Sequence, residues 1–213
     1  MMQTTPEIIL LLVVLTDFAV LGTSRLSTCI RALAAQGLLL GMLPLATAPH
    51  FSVHMAALSL GTVAVKAVLL PWFLAWAIRE AEVRREVEPR IGYNASLLLG
   101  ALALVLAFAI AARLPLPARH QALLVPVSLA TLIIGFIVLT TRRKALTQVV
   151  GYLVLENGIY LFGLTQTQSV PFLLEIGVLL DVFVGVFIMG IVVFHINREF
   201  DTLDSARLTE LKD

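Results

Sequence analysis

The chain lacks most of what soluble enzymes use. It has a single cysteine, Cys29, which can neither close an internal disulfide nor supply the several thiolates of an iron–sulfur cluster. It reads instead as a small buried apolar residue. No CxxC, HExxH, P-loop or dinucleotide-binding glycine pattern occurs, so no catalytic residue, cofactor site or metal site is expected in this chain. Charge is scarce as well: 14% of the 213 residues are charged, against roughly a quarter in soluble domains, which argues against a water-soluble fold. The net charge of +1 says nothing about partners, and no nucleic acid is expected among them.

What is abundant is hydrophobicity, 59% of the chain, and it is gathered into long runs at about 6–23, 29–48, 54–78, 93–112, 120–141, 146–165 and 170–195. Each is long enough at ~1.5 Å per residue to cross ~30 Å of hydrocarbon. The expected fold is therefore all-α, a polytopic transmembrane helix bundle of about seven spans in the cell inner membrane. The first run has no Lys or Arg before it and no small-residue cleavage pattern after it, so it reads as a mature helix and not a signal peptide. A six-span reading would need that run to be interfacial.

The basic residues set an orientation. With the ends numbered alternately, twelve fall on one side, from Arg25 and Arg31 through Arg79–Arg90 and Arg142–Lys144 to Lys212, and two, Arg113 and Arg119, on the other. The positive-inside rule then predicts the N-terminus outside and the C-terminus in the cytoplasm. Two cytoplasmic segments have patterns of their own. Glu80 with Arg84 and Glu86 with Arg90 are i,i+4 pairs that would extend the third helix as far as Pro89. In the tail, Phe200, Leu203, Leu208 and Leu211 stand among charges and fit either a short amphipathic helix on the membrane or a partner, or a frayed end.

An ionisable group at mid-bilayer costs a few kcal/mol even on insertion scales and so calls for a functional explanation. Three qualify: Lys66, Glu156 and Asp181, each near the middle of its run and ~15 Å from either surface. Tyr152 and Tyr160 lie one turn either side of Glu156 on its face, where their hydroxyls could bond the carboxyl group. Gly177 and Gly185 flank Asp181 in the same way and would let a helix approach closely, with an incidental acid on a packing face as the alternative. Ser59 and Thr62 precede Lys66 on one face, and Pro71 leaves the carbonyl of Ala67 without a donor, which predicts a kinked, hydrated helix. A structural ion pair between Lys66 and one of the acids would equally satisfy the buried charge. Asp17, nearer the cytoplasmic end, is a weaker candidate, as are Glu7 and Glu175 near the outer interface. His50 and His54 have no third metal ligand nearby and read as interfacial residues, and His195 reads as an inner helix cap.

The segment TLIIGFIVLTTRRKALTQVVGYLVLENGIYLFGL, followed by EIGVLLDVFVGVFIMGIVVF, resembles the three-helix K subunit of complex I and the C subunit of multi-subunit cation/proton antiporters. Arg142–Lys144 matches that family's basic loop, Glu156 its first mid-membrane acid, and Asp181 with Gly185 its second. One departure is that the second acid is usually Glu, one methylene longer. With about four helices ahead of this module, the chain is similar to hydrogenase-4 component E.

The resemblance implies a four-helix part over 1–112, a K-subunit-like module over 113–197 and a cytoplasmic tail over 198–213. It implies no catalysis by this chain, which would serve as a subunit of an oxidoreductase complex of hydrogenase or formate hydrogenlyase type. Nickel–iron and iron–sulfur centres would sit only in partner subunits. The partners would be antiporter-like membrane subunits, a membrane anchor subunit, hydrophilic redox subunits and the lipid bilayer. Glu156, Asp181 and Lys66 would then belong to a mid-membrane row that transfers protons, supported by Tyr152, Tyr160, Ser59 and Thr62. An antiporter subunit without redox chemistry, and a scaffold whose charges are dispensable, are the competing functions.

Overall fold

A backbone in hydrocarbon has no water to satisfy its N–H and C=O groups, so apolar runs of this length are stable there as helices. The computed structural model describes residues 4–47, 53–80, 90–114, 123–165, 180–181 and 183–190. It contains α1 (Thr4–Gly22), α2 (Leu26–Thr47), α3 (Val53–Thr62), α4 (Leu70–Glu80), α5 (Tyr93–Ala111), α6 (Leu124–Thr141) and α7 (Ala145–Thr165). A π-helical stretch, Val63–Leu69, joins α3 to α4 in one span. Six helices among the described residues are long and apolar enough to cross a membrane. Of the seventh run only 180–181 and 183–190 are described, and both pieces are helical. The extension beyond Glu80, the tail, His50, Glu175, Gly177 and His195 lie outside the described residues, as does the side chain of His54.

The kink expected at Pro71 takes the form of the π-helical stretch. The N–H of Leu70 returns to the carbonyl of Val65, five residues back. The next residue, Pro71, has no N–H to continue that register. This widened turn carries Lys66, and α2 lies directly against it: a Cβ on Gly37 would stand 2.5 Å from the carbonyl carbon of Lys66, nearer than non-bonded carbons approach. Glycine at position 37 is therefore what lets the two backbones meet. One turn further along α2, the Ser59 hydroxyl donates to the carbonyl of Gly41 and clips α3 in place.

The α6–α7 pair is built on the same device. Gly135, Gly151 and Gly158 each face the backbone of Leu155, Leu139 or Leu132 across the interface with no room for a side chain. Close packing of small residues holds helices together where lipid removes the usual hydrophobic drive. On α5 the buried face is likewise small, Ser96, Gly100, Ala103, Ala107 and Ala111, while Leu98, Leu102 and Val105 point outward.

Two apolar clusters form the core. One gathers Leu21, Leu33, Leu74, Ile134, Val150 and Ile188; the other gathers Val13, Leu40, Val127 and Leu161. Along α1, α2, the third span, α6, α7 and the last helix, the buried Asp17, Gln36, Lys66, Thr131, Glu156, Asn157 or Asp181 falls beside or between the segments that feed these clusters. Among the described residues these side chains thus form a polar layer with apolar clusters on either side.

Candidate functional site

The polar layer contains an ionic cluster. Lys66 Nζ donates to Glu156 Oε1 at 2.8 Å and to Asp181 Oδ1 at 3.0 Å, so the lysine bridges both acids and does not choose one. The three are 5%, 1% and 3% exposed. Three separate elements supply them: the π-helical turn, α7 and the last helix. Two carboxyl groups share one ammonium. Glu156 Oε2 is buried with no hydrogen-bond partner.

The expected supporting residues divide. Tyr160 lies with its ring centroid 6.0 Å from Lys66 Nζ, a cation–π distance, and its hydroxyl meets Thr62 Oγ1 at 3.2 Å; Thr62 also donates to Leu58 O at 2.9 Å. Both stand beside the cluster. Tyr152 does not contact Glu156 through its hydroxyl. It lines an apolar cleft with Leu139, Val149, Phe183 and Phe187, because its ring turns toward the groove between α7 and the last helix. Ser59 is spent on Gly41 and contributes to packing. Gly185, expected to seat a neighbouring helix beside Asp181, has open space around it; Lys66 is what holds Asp181.

A second network fills the rest of the layer. Asp17, expected as a lesser candidate toward the helix end, is fully buried. Gln36 Nε2 donates to its Oδ1 at 2.7 Å and Thr131 Oγ1 to its Oδ2 at 2.7 Å. Gln36 Oε1 in turn accepts from Asn157 Nδ2 at 2.9 Å. Reasoning from charge missed Gln36, Thr131 and Asn157, since neutral groups carry no charge to be noticed. The available signal was an amide in the middle of an apolar run, which also needs a buried partner.

Arg142 is another surprise. Expected in a basic loop, it is 1% exposed. It donates to Leu21 O at 2.8 Å and lies 4.7 Å from the Tyr93 ring centroid, locking the α6–α7 connection to the end of α1. Cys29 is buried, as its composition argued.

Among known proteins, the chain is 33% identical over 203 residues to the uncharacterized protein Rv0085 of Mycobacterium tuberculosis, covering 94% of this chain and 92% of that one. It is 29% identical over 148 residues to hydrogenase-4 component E of Escherichia coli K12, covering 69% and 68% respectively. The hydrogenase-4 component E of Shigella flexneri matches to the same extent. No family model and no solved structure matches.

Proposed function

We propose that this chain, which belongs to the same family as Mycobacterium tuberculosis Rv0085, is a non-catalytic membrane subunit of an energy-converting oxidoreductase complex, and that its Lys66–Glu156–Asp181 cluster carries protons or charge across the membrane interior. The distant likeness to hydrogenase-4 component E supports the kind of complex. The single observation that supports the role is a lysine bridging two carboxyl groups in a layer closed off by apolar clusters.

Such a cluster changes charge by one unit with one proton. A proton can arrive on Glu156 Oε2, which is buried with no hydrogen-bond partner. It weakens the hold of Glu156 on Lys66, so the ammonium leans to Asp181. Proton arrival on α7 thereby becomes a displacement of positive charge toward the last helix. In low dielectric that displacement is felt by the next buried charge along the membrane. The N-terminus lies outside and the C-terminus inside in this reading, in keeping with the bias of basic residues.

The experiment is proton translocation per electron in the reconstituted complex. Glu156→Gln keeps size and hydrogen bonding but not the exchangeable proton, so redox turnover is expected to persist while translocation falls by about a hundredfold, the low end of the scale on which positioned proton-transfer groups act. Asp181→Asn is expected to have a smaller effect. Translocation by Glu156→Gln equal to wild type would overturn the reading in favour of a scaffold. Co-purification in mild detergent should bring down hydrophilic redox subunits together with antiporter-like ones; the latter alone would favour the antiporter.

A further inference from the structure

The Asp17 network is a carboxyl group handled in a different way from the two acids of the ionic cluster. Its two oxygens meet neutral partners, Gln36 Nε2 and Thr131 Oγ1, and no salt bridge reaches it among the described residues. Among the described residues, the elements packed most closely against α1 are α2, α5 and α6. Neither α5 nor α6 contains an Asp, Glu, Lys, Arg or His, and Tyr93, at the start of α5, lies against Arg142. The one charged residue of α2, Arg31, is exposed, and the α2 thiol, Cys29, packs in an apolar cluster. Arg142, which also touches α1, donates to Leu21 O, one turn beyond Asp17.

The two partners of Asp17 differ in what they can do. Gln36 is held with its amide nitrogen toward Asp17 because its oxygen accepts from Asn157, so at Oδ1 it only donates. The Thr131 hydroxyl can rotate: it donates to a carboxylate and accepts from a carboxylic acid. Oδ2 is thus the one oxygen whose partner suits both charge states. The network also abuts the ionic cluster twice through neighbours in sequence. Asn157 follows Glu156 on α7, and Gly37, next to Gln36, touches the main chain of Lys66.

We propose that Asp17 is a second proton-binding position of this chain, taking its proton on Oδ2 with Thr131 reversing its hydrogen bond, and that Gln36 and Asn157 link it to Lys66 and Glu156. Proton binding at Asp17 stands on its own geometry. Its link to translocation rests on the function proposed above.

The test is infrared difference spectroscopy of the lipid-reconstituted complex between acidic and alkaline buffers, with proton translocation per electron measured alongside. A carboxylic-acid C=O band that is present in wild type and in Glu156→Gln and lost in Asp17→Asn is the expected result. An unchanged spectrum in Asp17→Asn overturns the proposal. Thr131→Val retains the acid and removes its acceptor, so the band should move to higher frequency; an unmoved band overturns the assignment to Oδ2, and this variant decides the matter even if Asp17→Asn fails to assemble. If the band depends on Asp17 while Glu156→Gln translocates like wild type, the Asp17 site stands and the proposed function falls.

Discussion

The two halves of the polar layer solve one problem by different means. Around Lys66, two carboxyl groups are held by a full positive charge, drawn from three elements that only tertiary packing brings together. Around Asp17, one carboxyl group is held by an amide and a hydroxyl, and the amide is itself held by Asn157. A buried ion cluster is sensitive to losing a partner because the remaining charge is stranded in low dielectric. A carboxyl group with neutral partners loses hydrogen bonds but no ion pair. The first half is therefore where a single change does most damage, and the second is where a change of protonation can occur without breaking an ion pair.

Lys66→Met breaks the comparison most severely. With the cation gone, Glu156 and Asp181 face each other unpaired, and a loss of about 3–5 kcal/mol is expected, read as depletion of the subunit from membranes or as early thermal unfolding of the complex. Stability like that of wild type would mean that the cluster is not what holds the last helix. Gln36→Leu attacks the other half. It strands Asp17 Oδ1 and Asn157 Nδ2, at about 1–3 kcal/mol for each unsatisfied group. Combining it with Lys66→Met sharpens the comparison, since coupling through Gly37 and Asn157 makes the double variant non-additive, and strict additivity would separate the two halves. Tyr160→Phe removes only the bond to Thr62, costing about 1 kcal/mol, whereas Tyr152→Phe should fall within ~0.5 kcal/mol of wild type. Equal effects in a thermal-shift assay would contradict the asymmetry between the two tyrosines.

Much of this could be read from the residues in order. The first six apolar runs correspond to the helices within a few residues, because in hydrocarbon a long apolar run has few alternatives to a helix. Lys66, Glu156 and Asp181 could be picked out because a formal charge in such a run is costly enough to need a reason. Pro71 announced a break in the third span but not its π-helical form, which depends on which carbonyl each N–H finds once α2 has packed at Gly37.

The sequence by itself therefore determined the membrane class, the spans and the three charges, all of which follow from local chemistry summed along one helix. Only the tertiary structure decided that Lys66 bridges both acids, that Tyr160 stands beside the cluster while Tyr152 faces a cleft, and that Asp17 joins Gln36, Thr131 and Asn157. A hydrogen bond is made or lost within a few tenths of an ångström. The partners of Asp17 lie on α2 and α6, up to 114 residues away along the chain, at a distance set by how α1 packs against those two helices, which no single span specifies.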